Sequence, residues 1–411
     1  MKRILNRLAL GLLVAGLLLA GAEAIARLVR EPAPPILVAP PEREQAFRVT
    51  SGRVTPIFQR PFEIPDFAEE PSGQRVIVIG GSTVRAGAEP DLGIDGEFPA
   101  LLEQALGVEV LNLGVPGANA EDLLRRFPDV LGFSPDLILV YSGHNAYVMA
   151  TQVGLQEELG SARTLGALIF RNSSLFLGLN ELITTAPVRI GNKPRFELGA
   201  DEREQVRDLH IQHLGEILDL ARQAGVPVVL STVASNPFAP PVAQDCPEVF
   251  DVLGLARPQL GSEHRPLDLA GLRPEQTQDL DLSCTQARYL HGRALWDSGR
   301  HEEGSEHLDL ARDLETLPMR ADRPMNDAMR ALAQVTGTPL VDADRAFRER
   351  GMGLEPPTWL ADVLHPNAAG HLALAALFAP EAARLLGLPD PGLSLPSTAP
   401  AADAGQPRPA G

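Results

Sequence analysis

Cysteine is scarce in this chain of 411 residues: Cys246 and Cys284 are its only two, both in one late segment. None stands near the N-terminus, which excludes a lipoprotein-type signal. In an oxidising compartment the pair can form a disulfide, and closing a loop of roughly 38 residues is worth about 4 kcal/mol on the chain-entropy model. In a reducing compartment they are two buried thiols. Positive charge is also short, with 36 Lys and Arg against 53 Asp and Glu and a formal charge of −17. Lys2, Arg3, Arg7, Arg27 and Arg30 against Glu23 give the first thirty residues +4, which leaves −21 for the remainder. Such a body repels nucleic acid and anionic lipid surfaces. The nine histidines show no paired ligand spacing with acidic neighbours, and His210 and His213 read as the solvated face of a helix. No nucleotide-binding fingerprint occurs either, so neither a metal nor an organic cofactor is expected.

What is present begins with a hydrophobic run. Between Arg7 and Arg27 lie nineteen residues, LALGLLVAGLLLAGAEAIA, whose one charge is Glu23. As a helix rising ~1.5 Å per residue they span about 28 Å, close to a bilayer core. The basic residues at 2, 3 and 7 hold the N-terminus in the cytoplasm, so the rest is expected to be translocated. Residues 1–30 therefore read as a transmembrane anchor or as a signal segment, since Ala20-Gly21-Ala22 and Ala22-Glu23-Ala24 resemble cleavage sites.

Residues 31–71, rich in proline and charge, read as a stalk. Short apolar, β-branched runs then recur: RVIVIG (75–80), VEVLNLG (108–114), DLILVYSG (136–143), VPVVLSTV (226–233) and TPLVDA (338–343). Each fits a strand buried on both faces. Helical patterns at 98–106, 121–131, 202–224 and 367–386 alternate with them, which predicts a parallel sheet with helices on both faces. Two segments break the rhythm: a Leu-rich stretch at 154–200 and an excursion at 235–319. Within the excursion Gly292, Leu295, Gly304, Leu308 and Ala311 stand where a tetratricopeptide helix pair places its packing residues. One such unit is either a partner-binding module at 285–318 or a helical hairpin packed on the main domain. The tail 389–411 is Pro/Ala/Gly-rich and expected to be disordered.

In open parallel sheets ligands bind outside the carboxyl ends of the strands. The first such end carries Gly80-Gly81-Ser82-Thr83, a serine on a strand-to-helix turn. The second carries Asn112-Leu113-Gly114-Val115-Pro116-Gly117, and the third Gly143-His144-Asn145. Backbone N–H groups freed by glycine and a side-chain amide are the donors that an acyl-transfer oxyanion requires. Ahead of the last helix stands Asp362-Val363-Leu364-His365-Pro366, whose spacing of three lets the carboxylate reach one imidazole nitrogen and leaves the other for a nucleophile. Singly these are turn and cap residues; their order at successive strand ends is the signal.

The four pieces together resemble the SGNH (GDSL-like) hydrolase family over about 72–234 and 320–388. The resemblance implies a flavodoxin-like three-layer α/β/α fold with a five-stranded parallel sheet, here with a helical insertion and an N-terminal transmembrane helix. It matches Ser82 to the nucleophile, Asp362 and His365 to the final Asp-x-x-His, and Ser82, Gly117 and Asn145 to the oxyanion hole. Two positions depart from the pattern: Gly81 stands where the namesake motif has Asp, and Ala146 where Asp is common. The implied function is a serine esterase hydrolysing an acyl ester, such as an O-acetyl group on an envelope glycan or a lipid ester. An O-acyltransferase of envelope polysaccharide, or a non-catalytic scaffold on the same fold, would use the same framework. The expected location is the bacterial inner membrane, with the catalytic domain facing the periplasm or cell exterior.

A reporter fused after Pro400 is expected to report the periplasmic side, and the mature chain to stay with membranes through a salt wash. Soluble release with a new N-terminus near Glu23 or Ala24 would replace the anchor by a cleaved signal.

Overall fold

The three central apolar runs become strands buried on both faces, as every residue of Arg75–Gly80, Leu137–Tyr141 and Val228–Ser231 shows, whereas the edge runs Glu109–Asn112 and Leu340–Val341 are only part-buried. The computed structural model describes residues 47–56, 65–86, 92–153, 188–190, 193–195, 197–242, 245–257, 267–351 and 359–396. In chain order the strands are β1 (Phe47–Thr50), β2 (Arg53–Pro56), β3 (Phe67–Ala68), β4 (Arg75–Gly80), β5 (Glu109–Asn112), β6 (Leu137–Tyr141), β7 (Val188–Ile190), β8 (Lys193–Arg195), β9 (Val228–Ser231) and β10 (Leu340–Val341). The main sheet has the order β10-β9-β6-β4-β5 with every neighbour parallel. This is the expected flavodoxin-like order, and its direction reverses between β4 and β6.

The longer helices are α1 (Phe98–Leu106), α2 (Ala120–Gly132), α3 (His144–Val153), α4 (Ala200–Ala224), α5 (Thr285–Asp297), α6 (His301–Leu314), α7 (Arg323–Thr336) and α8 (Ala368–Leu386). Helix α1 packs with α8, whereas α4 packs with both α2 and α7. Right-handed crossovers account for this sorting: β4 to β5 runs one way along the sheet, and the later crossovers run the other way. Asn119, Asp322 and Asn367 cap α2, α7 and α8 by accepting the N–H groups of Asp122, Met325 and Gly370. The described strands β7 and β8 make an antiparallel hairpin.

Part of the span read as a stalk is ordered. Strands β1, β2 and β3 form an antiparallel sheet, and Phe47 and Phe67 meet Phe133 edge-on at centroid distances of 4.8 and 5.2 Å. The fully buried Arg75 guanidinium ties this sheet to the base of β4. It donates to the carbonyls of Ala68, Glu69 and Phe133 and pairs with Glu109 at 2.7 Å. The hydrophobic run at 8–26, residues 31–46 and 57–64 of the stalk, residues 154–187 and the tail beyond 396 lie outside the described residues. Among the described residues no helix is long and apolar enough to cross a membrane.

In the excursion, α5 and α6 form a helical hairpin whose close approach needs small residues. A Cβ on Gly304 would lie 2.7 Å from the Trp296 nitrogen and 2.9 Å from the Gly292 carbonyl oxygen. The hairpin packs back on the sheet domain: Tyr289 donates to the Phe238 carbonyl at 2.8 Å, and Asp309 pairs with Arg348. Cys246 and Cys284 are joined with their Cα atoms 6.2 Å apart, linking the start of α5 to the loop after β9.

Overpacking of the kind that Gly304→Ala introduces costs about 1–3 kcal/mol. Gly215→Ala on α4, whose Cβ meets nothing nearer than Leu332 Cδ1 at 3.9 Å, is expected to be neutral or to add ~1 kcal/mol. Urea midpoints at constant slope distinguish the two, and equal midpoints would remove close approach as the reason for Gly304.

Candidate active site

Strand β4 ends in Gly80 and the chain turns at once into a single 3-10 turn, Ser82–Val84, with Thr83 and Val84 buried beneath. This leaves the half-buried Ser82 at the carboxyl edge of the sheet, beside the point where strand order reverses. Its Oγ lies 2.8 Å from His365 Nε2, and His365 Nδ1 lies 2.7 Å from Asp362 Oδ2. The other carboxylate oxygen, Oδ1, accepts the backbone N–H groups of Leu364 and His365 at 2.9 and 2.7 Å. A β-bridge between Leu360 and Pro366, with Ala361 N–H donating to the His365 carbonyl at 2.8 Å, closes this turn.

Burial alone would raise the Asp362 carboxyl. The hydrogen bond and charge of His365, with the two backbone N–H groups, more than offset it and hold the group below the usual carboxylate range. With the carboxylate on Nδ1, the imidazole carries its proton there and presents Nε2 as an acceptor toward Ser82.

The second and third blocks converge on the same edge. Pro116 and Gly117 occupy the centre of a turn closed by Ala118 N–H to the Val115 carbonyl at 3.0 Å, and Gly117 has φ +82°, a region glycine enters without strain. Asn145, half-buried at the start of α3, donates from Nδ2 to the Ala118 carbonyl at 2.9 Å and keeps its second amide hydrogen. A Cβ at Gly81 would overlap that Nδ2. A side chain at position 81 would therefore require the Asn145 amide to shift. Among the described residues the N–H groups of Ser82 and Gly117 donate to no protein acceptor.

Sequence reasoning missed what holds these turns. Arg85, buried, donates to the carbonyls of Gly114 and Asn112 at 3.1 and 2.7 Å and to Glu97 at 3.2 Å. Glu97 also accepts from the Ala86 N–H and from Asn112 Nδ2, whose Oδ1 in turn accepts from Gly114 N–H. The loop after β5 is thus locked to the serine turn. Asn112 at a strand end was the one available signal; nothing local marks Glu97. His144 is buried too, its Nδ1 accepting from Ala321 N–H at 3.1 Å, and burial, then the charge of His365, push it down to about 3.

His210 corrects an expectation. It is buried rather than on a solvated face, and burial lowers it to about 4. Among the described residues one group has metal-ligand proximity, Asp245 with Cys246 and Cys284. Its two sulfurs belong to the disulfide and offer no thiolate.

A parallel sheet with a Ser–His–Asp relay at its switch point defines an enzyme that hydrolyses ester bonds. Residues 78–265 match the model of the GDSL-like lipase/acylhydrolase family. The chain's fold is similar to that of a GDSL-like lipase from Bacteroides thetaiotaomicron, at 14% identity over 76% of this chain and 88% of that one, with a TM-score of 0.36. It is likewise similar to an acetyl xylan esterase, at 14% identity over 75% and 98% with a TM-score of 0.39. A catalytic mutant of an acetylxylan esterase from Geobacillus stearothermophilus matches at 15% identity over 78% and 96%, with a TM-score of 0.36. No curated protein matches the chain.

A carboxylate whose folded-state pKa is depressed contributes stability above its unfolded pKa and loses it as pH falls through the folded value. Asp362→Asn is therefore expected to flatten that part of the acid limb of the stability curve. The check is unfolding free energy measured from neutral pH down through the carboxylate range; parallel curves for variant and wild type would contradict the assignment.

Proposed function

We propose that the chain is a serine esterase with Ser82 as nucleophile, His365 as general base and Asp362 as the group that orients the imidazole. The observation that carries this reading is the unbroken relay of 2.8 and 2.7 Å contacts from Ser82 Oγ to Asp362. In the first half-reaction Ser82 Oγ attacks the acyl carbonyl carbon while its proton passes to His365 Nε2. The developing oxyanion is met by the N–H groups of Ser82 and Gly117 and by the Asn145 amide. Collapse of the tetrahedral species expels the alcohol, which takes the proton from Nε2 and leaves an acyl-Ser82 ester. Water, deprotonated by His365, then releases the acid and restores Ser82.

The proposed location is the bacterial inner membrane, with the catalytic domain on the periplasmic or outer side, and the proposed substrate is an acyl ester of an envelope glycan or lipid. The basic residues at 2, 3 and 7 followed by the hydrophobic run 8–26 support the location. The −21 balance of the remainder argues against a polyanionic substrate.

A fluorophosphonate is expected to label the protein at Ser82 and nowhere else, since among the described residues no other serine hydroxyl has this relay behind it. Asn145→Ala should lower kcat ~100- to 1,000-fold, about 2.7–4 kcal/mol, with little change in KM, because the lost donor acts in the transition state. His365→Ala should slow acylation of Ser82 itself. Label on a different serine, or near-wild-type kcat for Asn145→Ala on an ester that Ser82→Ala does not turn over, would sink the assignment. Product analysis with a sugar acceptor present distinguishes hydrolysis, which yields free acid, from acyl transfer.

A further inference from the structure

We propose that the loop Asn236–Ala239 is a positioning element for Asp362 and His365, and that the α5–α6 hairpin sets its place. The inference rests on the catalytic reading of Ser82, His365 and Asp362 given above.

His365 and Asp362 sit on a turn between β10 and α8, and a turn-borne relay keeps its geometry only when the surrounding shell fixes it. Asn236, five residues beyond the end of β9, reaches that turn twice. Its N–H donates to the Val363 carbonyl at 2.9 Å, and its Nδ2 faces the Asp362 carbonyl at 3.5 Å. Ala239 packs in one buried cluster with Val363 and Leu364, the two residues between Asp362 and His365. The loop is itself closed by Phe238 N–H to Asn236 Oδ1 at 2.9 Å and Ala239 N–H to the Asn236 carbonyl at 3.3 Å.

The opposite side of the loop is gripped by the excursion. Tyr289, buried in α5, donates to the Phe238 carbonyl at 2.8 Å, and the Phe238 ring lies edge-on to Trp296 at 4.8 Å with the Arg293 guanidinium 5.7 Å from its centroid. Arg320, on the segment that follows α6, donates to the carbonyls of Asn236 and Ala239. Its burial lowers it to about 10, with Glu315 acting against that fall. One short loop therefore joins the hairpin to the catalytic turn, and a displacement at Phe238 has a direct route to the Val363 carbonyl. The hairpin is in this sense part of the active site's support.

The test compares wild type, Tyr289→Phe, Asn236→Asp and the double variant in the full chain. Ser82 phosphonylation by a fluorophosphonate gives the rate, ester hydrolysis gives kcat and KM, and thermal unfolding is recorded alongside. Tyr289→Phe removes one oxygen and is expected to slow phosphonylation by about 3- to 10-fold, the size of one neutral hydrogen bond. Asn236→Asp keeps the acceptor for Phe238 N–H and loses the donor; it should be slower still, with KM unchanged. Because both act through the same loop, the double variant should be no slower than Asn236→Asp alone. Glu302→Gln, on the exposed face of α6, should match wild type. Wild-type rates in both single variants, multiplicative effects in the double, or a change confined to KM would overturn the proposal. A wild-type chain that takes no label at Ser82 would instead remove the catalytic reading, and this one with it.

Discussion

The structure depends on one meeting: Ser82 Oγ and His365 Nε2 lie 2.8 Å apart although 283 residues separate them. Proton transfer of this kind tolerates little misplacement, and an error of about 1 Å at a reacting atom can cost 100-fold in rate. The sheet performs the coarse alignment. Because β4 lies centrally between β6 and β5, the turns after these three strands open on one edge, where order reverses. The short turn 359–367 performs the fine alignment, holding Asp362 and His365 in one hydrogen-bonded loop.

Around that meeting the protein buries several charged and polar groups that hold one another. Arg85, Glu97 and Asn112 are interlocked beneath the serine turn, and Arg75 does the same at the far end of β4. A buried ion pair gains little net stability, because desolvation offsets its attraction, yet removing one partner leaves an uncompensated charge. Burial accordingly lowers Arg85, with Glu97 opposing it. The consequence is rigidity: the loop Asn112–Gly117 has few arrangements that keep every one of these groups satisfied.

The departures from the family pattern belong to the same economy of space. Gly81 leaves space that Asn145 Nδ2 fills, so a side chain there would displace that amide. That amide is already anchored on the Ala118 carbonyl, so the third-block residue and the second-block loop move as one body. His144, next to Asn145, is kept neutral by burial and adds no charge beside the imidazolium that catalysis would form.

The sequence by itself determined the parallel sheet and the five residues at its edge. Strands buried on both faces read as unbroken apolar runs, so β4 and α1 fall where the pattern places them, at Arg75–Gly80 and Phe98–Leu106. Ser82, Gly117 and Asn145 were legible because they stand in the loops after three successive strands, and Asp362 and His365 because their spacing of three ahead of the last helix is a local feature. What only the tertiary structure decided was decided by contacts between residues far apart in the chain. The sheet β1–β3 escaped the Pro-rich reading because its order comes from Phe133 and Arg75. His210 looked solvated because helical periodicity does not say which face a neighbouring helix will cover. Asn236, Arg320 and Tyr289 carry no motif at all. Their significance is a set of hydrogen bonds to carbonyl oxygens, and a carbonyl is the one group that every residue supplies alike, so no sequence pattern can mark which of them will be used.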